Sequence, residues 1–166
     1  MRRALGVALL AAAALAQVTW APRFEVGGAF PNLVLLAVVA VTWTLGARSA
    51  LVWACVGGLL LDLTASGPIG PHAFALLPGV YVIGFWIRNL ERPHALHVAV
   101  SAAVTTVFYS TLIVLTDNFL GLPVAPLGAA AQLTLAAAVY NALLMPVAID
   151  LVRRMQLMVR TGPQPG

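Results

Sequence analysis

The chain has 166 residues, of which 61% are hydrophobic and 8% charged, with a formal net charge of +4 and a mean hydropathy of +0.97. A soluble domain carries about 25% charged residues, so this chain cannot cover a water-facing surface of its own size and lipid must be the solvent for most of it. Its basic residues are all arginines at the edges of apolar runs, a pattern of membrane topology that excludes a nucleic-acid-binding patch, and its single cysteine, Cys55, excludes an intrachain disulfide and a Cys-based zinc site.

Six apolar segments follow in order, and they predict an all-α integral membrane protein, a compact bundle of about six transmembrane helices with short loops. The first, residues 4–20, places Ala4, Ala8, Ala12 and Ala16 on one face. Such a small-xxx-small stripe lets helices pack closely, within the bundle or against a partner subunit. The segment also follows Arg2-Arg3 and ends near Ala14-Leu15-Ala16, as a cleavable leader would; losing it would leave five helices and spoil the charge match described below. The second segment, 31–47, and the third, 49–65, are so close together that they must form a tight hairpin. These two and the fourth, 73–88, are near or below the lower length limit for a span, about 17 residues.

The third segment carries Gly57-Gly58, which permits close approach of another helix, and Cys55, which reads as a small buried hydrophobe. It also carries Asp62, about one turn from its outer end. An Asp at the bilayer centre costs roughly 2.5–3.5 kcal/mol on the insertion scale and is a functional candidate by default. The favoured alternative is structural. The loop Gly67-Pro68-Ile69-Gly70-Pro71-His72 offers free backbone N–H groups at the start of the fourth helix, and a carboxylate that accepts them fixes the turn. His72 can pair with Asp62 across that loop or sit among lipid headgroups. In the fourth segment Pro78-Gly79 predicts a kink.

The fifth segment, 95–116, is the most polar. His97, Ser101, Thr105 and Tyr109 recur at spacing four and share one face, either lining a cavity or making interhelical hydrogen bonds, the latter being favoured. The sixth, 128–152, repeats the small-residue pattern at Ala130, Thr134, Ala138 and Ala142 and holds Gln132 and Asn141 as buried polar residues in need of partners. At its edge Asp150 can reach Arg153 and Arg154; near the end of the fourth, Arg88 can reach Glu91 and Arg92. Residues 1–160 thus form one polytopic membrane domain, and 161–166 read as a disordered tail.

With both termini in the cytoplasm, every arginine except Arg23 falls inside, as the positive-inside rule requires. Trp43, Trp53 and Trp86 then mark the inner interface and Trp20 the outer one. There is no Ser/His/Asp arrangement, no phosphate-binding glycine loop and no HExxH spacing, so no enzyme, cofactor or metal site is expected.

Three stretches carry a resemblance. Pro31-Asn32-Leu33-Val34-Leu35-Leu36 opens the second helix, Gly57-Gly58-Leu59-Leu60-Leu61-Asp62-Leu63 closes the third, and Gly67-Pro68-Ile69-Gly70-Pro71-His72-Ala73 leads into the fourth. Together with the length, the short loops and the basic C-terminus, they resemble the rod shape-determining protein MreD family. Asn32 stands where an acidic residue is expected, and Pro71 where an apolar one is commoner. The resemblance implies a non-enzymatic subunit of the bacterial cell-elongation machinery in the inner (plasma) membrane, serving cell shape. It would bind MreC and so link MreB filaments to peptidoglycan synthesis by RodA and its penicillin-binding transpeptidase partner. The residues it singles out are Pro31, Asn32, Gly58, Asp62, Gly67, Gly70 and His72, and the small-residue stripes would also suit a homodimer. The alternative is the substrate-binding subunit of an energy-coupling-factor type vitamin transporter, with six helices, an alanine stripe on the first and a cavity along the polar stripe of the fifth. Such a subunit needs polar and aromatic outer loops, whereas 67–72 and 118–127 offer mainly His72, Asn118 and Phe119.

Overall fold

Each apolar segment forms one helix in a computed structural model that describes residues 2–25, 27–65, 67–92 and 94–160. The helices are α1 (Arg2–Thr19), α2 (Leu33–Leu45), α3 (Ala47–Thr64), α4 (Pro71–Arg88), α5 (Ala95–Phe119) and α6 (Leu127–Arg160), with a 3-10 turn at Ala21–Phe24; no β-strand occurs among the described residues. By length and apolarity, α3, α5 and α6 are able to cross a membrane. The side chain of Ala4 and the tail 161–166 lie outside the described residues.

The centre of the bundle is α2. Its sequence, Leu-Val-Leu-Leu-Ala-Val-Val-Ala-Val-Thr-Trp-Thr-Leu, is apolar on every side, and its residues 34–42 are all buried. A helix that is apolar all round belongs in a core, and α2 packs against α1, α3, α4, α5 and α6. It is shorter than the 31–47 segment suggests. Asn32 stays extended and caps the helix through its side chain, while Gly46, at φ +86°, ends it and immediately begins α3. Thirteen residues rise only about 20 Å, against a hydrocarbon core about 30 Å thick. On its own α2 is too short to reach across that layer.

The Gly57-Gly58 pair of α3 does bring helices together, on two sides. A Cβ on Gly57 would press on Val34 of α2 and Leu10 of α1, and one on Gly58 would run into the Ala73 backbone of α4. At the other end of α4, a Cβ on Gly84 would collide with Ala47. The helix continues through Pro78, and the neighbouring Gly79 leaves room for the Thr105 methyl of α5. It starts at Pro71, two residues earlier than the apolar run, because Gly70 at φ +124° turns the chain and proline suits the first helical position.

Several expectations need correction. Cys55 is exposed; Ala50, Ala54, Gly57, Gly58 and Leu61 form the inward face of α3, and Cys55 is one step, about 100°, away from Ala54. Gln132 is also exposed, since the inward face of α6 runs through Ala138, Asn141, Met145 and Ile149. Of the two uses open to the α1 stripe, packing within the bundle falls away: Ala8 and Ala12 are exposed and Ala16 half-buried, because α1 packs with Leu10, Ala14 and Gln17. Asp150 binds Arg154 at 2.6 Å, not Arg153, and Arg88 forms no ion pair with Glu91 among the described residues; α4 ends at Arg88, so helical spacing does not carry to Glu91. Helix α6 runs past 152 to Arg160, since residues 153–160 contain neither glycine nor proline to stop it.

The two glycines of the third-to-fourth helix region should respond differently to alanine. Gly58→Ala should lower stability by about 1–3 kcal/mol or more, since backbone cannot step aside as a side chain can. Gly67→Ala, with open space around the position, should change it little. Thermal unfolding of the purified protein in detergent checks both.

Candidate functional site

An α-helix leaves its first amide protons without intrahelical partners, and in lipid no water replaces them. At the start of α2 three side-chain amides take up that role. The Asn32 Oδ1 accepts from Leu35 N–H at 2.9 Å. Gln17 of α1 accepts the Leu33 N–H on Oε1 at 2.6 Å and donates Nε2 to the Pro31 carbonyl at 3.0 Å. Asn141 of α6, fully buried, accepts the Asn32 N–H on Oδ1 at 3.0 Å and donates Nδ2 to the Thr106 hydroxyl of α5 at 3.0 Å. Four helices thus meet at one helix end. Gln17 is absent from the sequence-based candidates; its signal was its place seven residues after the inward-facing Leu10 and three after Ala14.

The start of α4 is held in the same way. Asp62, only 2% exposed, accepts the His72 N–H on Oδ1 at 2.9 Å, so its carboxylate sits at the positive end of the α4 dipole. The His72 ring lies beside it, Nδ1 to Oδ1 being 3.7 Å, and stands edge-on to Tyr109 at 6.0 Å between ring centres. The close approach of Gly58 to Ala73 is what brings Asp62, one turn further along α3, within reach of α4. Asp62 Oδ2 and His72 Nδ1 are buried without a hydrogen-bond partner.

These two helix starts flank a cleft of about 500 Å³, whose walls include Gln17, Asn32, His72, Tyr109 and Asn141. Thr64, Ser110 and Thr134 add hydroxyls to its lining. The sequence-predicted residues Pro31, Asn32, Gly58, Asp62 and His72 are therefore gathered around one end of the bundle. Gly70 shapes the turn before α4, whereas Gly67 is exposed in open space. The fifth-helix stripe splits along its length. Tyr109 belongs to the cleft, Thr105 is buried against Gly79, and Ser101 accepts from Trp43 Nε1 at 2.8 Å. His97 accepts the His94 N–H on Nδ1 at 3.1 Å and meets Trp86 edge-on. Most of the stripe thus serves helix packing, interhelical and capping bonds, and of its four residues Tyr109 alone lines the cavity. No group of His, Cys, Asp or Glu residues suited to a metal ion occurs among the described residues.

Residues 2–155 match the model of one protein family, described as rod shape-determining protein MreD. No curated protein and no solved structure matches the chain.

The cap assignments predict a contrast between two glutamines. Gln17→Leu removes both the acceptor for Leu33 N–H and the donor to Pro31, and should cost about 1–3 kcal/mol for the groups left unpaired. The exposed Gln132→Leu should stay within about 0.5 kcal/mol. Unfolding in detergent measures both.

Proposed function

We propose a function from one premise: the chain belongs to the rod shape-determining protein MreD family, whose model covers it from residue 2 to residue 155. Membership gives a membrane protein with a role in rod-shape determination. The finer reading is ours. The chain acts as a non-enzymatic scaffold in the plasma membrane, with both termini cytoplasmic. It binds MreC and, through it, holds RodA, the penicillin-binding transpeptidase and MreB filaments in one complex, so that peptidoglycan is laid down along the cell's length. The family match is the observation that carries this.

Two features of the bundle support it. The small-residue face of α1 at Ala8 and Ala12 is exposed, so it is open to a helix of another subunit, a close fit that lipid-embedded helices favour. The side chains at the cleft end also tie α1, α2, α5 and α6 together and join α3 to α4: each named amide or carboxylate serves a helix start, an arrangement suited to a rigid platform.

The second reading, a small-molecule binding subunit of the energy-coupling-factor type, rests on the cleft. Its volume of about 500 Å³ is within the range of ligand pockets, about 300–1,000 Å³, and its polar groups come from helices instead of the sparse loops.

A mild-detergent pull-down from the native membrane separates the two. Recovery of MreC with elongation proteins supports the scaffold; recovery of ATPase subunits with a coupling membrane protein, or tight binding of a vitamin-like ligand, overturns it. Asp62→Ala strands the His72 N–H and should cost about 1–3 kcal/mol, with a matching loss of assembled partner. Asp62→Asn keeps an acceptor and should largely preserve both, and neither change should alter any small-ligand affinity.

A further inference from the structure

At the opposite end of the bundle from the cleft, a groove of about 760 Å³ runs between α1 and α3, with Gly6 and Val7 on one side and Arg48, Val52 and Trp53 on the other. We propose that this groove binds an anionic phospholipid, its phosphate on Arg48 and one acyl chain along the α3 wall. The inference is independent of the scaffold reading.

The wall is built for a chain. Ser49, Val52, Trp53 and Val56 of α3 line the groove at spacings of three and four, so they stand in one file. From Arg48 to Val56 the file rises about 12 Å, a length suited to part of an acyl chain. Gly6 makes room for the file: a Cβ there would lie 2.9 Å from Trp53 Cζ2, so a side chain at this position would force the indole to move. Val7 and Val52, 51% and 62% exposed, open the groove outward, where the surrounding solvent is lipid.

The mouth of the groove is positive. Arg48 forms no ion pair among the described residues; the pairs there are His72–Asp62, at the other end of the bundle, and Arg154–Asp150. The guanidinium fork matches a phosphate diester. Gly46 gives α3 no side-chain cap, so the first amides of that helix add to the positive field around Arg48 and the Ser49 hydroxyl. Trp53 completes the site, with an apolar ring for the chain and an indole N–H suited to the interface. A partner helix fits the groove less well, because it would bury this unpaired arginine.

The test is native mass spectrometry of the purified full-length chain, stripped of lipid and then given phosphatidylglycerol and phosphatidylethanolamine in equal amounts. The wild type should retain phosphatidylglycerol preferentially. Arg48→Gln should lower that retention about fivefold, the weight of one arginine near an anionic lipid surface, without moving the unfolding midpoint. Val52→Trp should fill the groove and abolish retention of both lipids; should it unfold the protein, Val7→Trp on the facing wall replaces it. Unchanged retention in Arg48→Gln or in the filled groove would overturn the proposal. Displacement of the lipid by millimolar inorganic phosphate, or a protein adduct in place of a lipid adduct from a photo-crosslinker at Val52 in native membranes, would do so as well.

Discussion

The start of α2 is the point on which the rest of this bundle depends. A helix of 13 residues does not reach across the hydrocarbon layer, and its first amide protons have no partners within the helix. Each of them left unpaired in lipid would cost several kcal/mol. The chain meets this by sending one amide side chain from α1, one from α6 and one from the residue before α2 itself. Because each of these bonds has a narrow geometry, satisfying the α2 end also fixes how α1 and α6 stand around it. Hydrophobic packing alone could not do this, since lipid tails are as apolar as the helix faces.

The same device recurs at α4, with Asp62 as the cap. There the fit depends on α3 and α4 approaching at Gly58 and Ala73, since an Asp side chain is short and reaches an amide only when the backbones are close. Glycine therefore has an electrostatic consequence in this fold: it sets the distance over which a carboxylate serves a neighbouring helix. A buried Asp thus becomes tolerable, because it accepts from a helix N-terminus whose partial charge opposes its own.

Much of this was readable in the residues. Composition and apolar runs placed all six helices, and Asp62 accepts a backbone N–H at the start of α4. The short stretches that carry the family resemblance include the residues that start α2 and α4: Asn32, Asp62 and the turn through Gly70 to His72. What the sequence did not disclose was which face of an apolar helix points inward. Cys55 and Gln132 were placed inside because they sit in apolar runs, yet in a lipid-embedded helix the outward face is equally apolar and hydropathy no longer distinguishes the two. Gln17 was missed for the related reason that an alanine-rich helix offers almost no contrast from which to read its inner side. The short span of α2 was hidden too, since the apolar run 31–47 continues past both ends of the helix and only the conformations of Asn32 and Gly46 stop it.

The bond between Asn32 and Asn141 joins residues 109 positions apart. A ribosome delivering this chain to the membrane exposes α2 long before α6 exists. Through most of synthesis, then, the amide of Asn32 lacks the acceptor that the finished bundle gives it, while Gln17, made earlier, is already at hand for Leu33. Arrival of the last helix closes the central one, and a chain truncated before residue 141 would carry an open polar end at its middle.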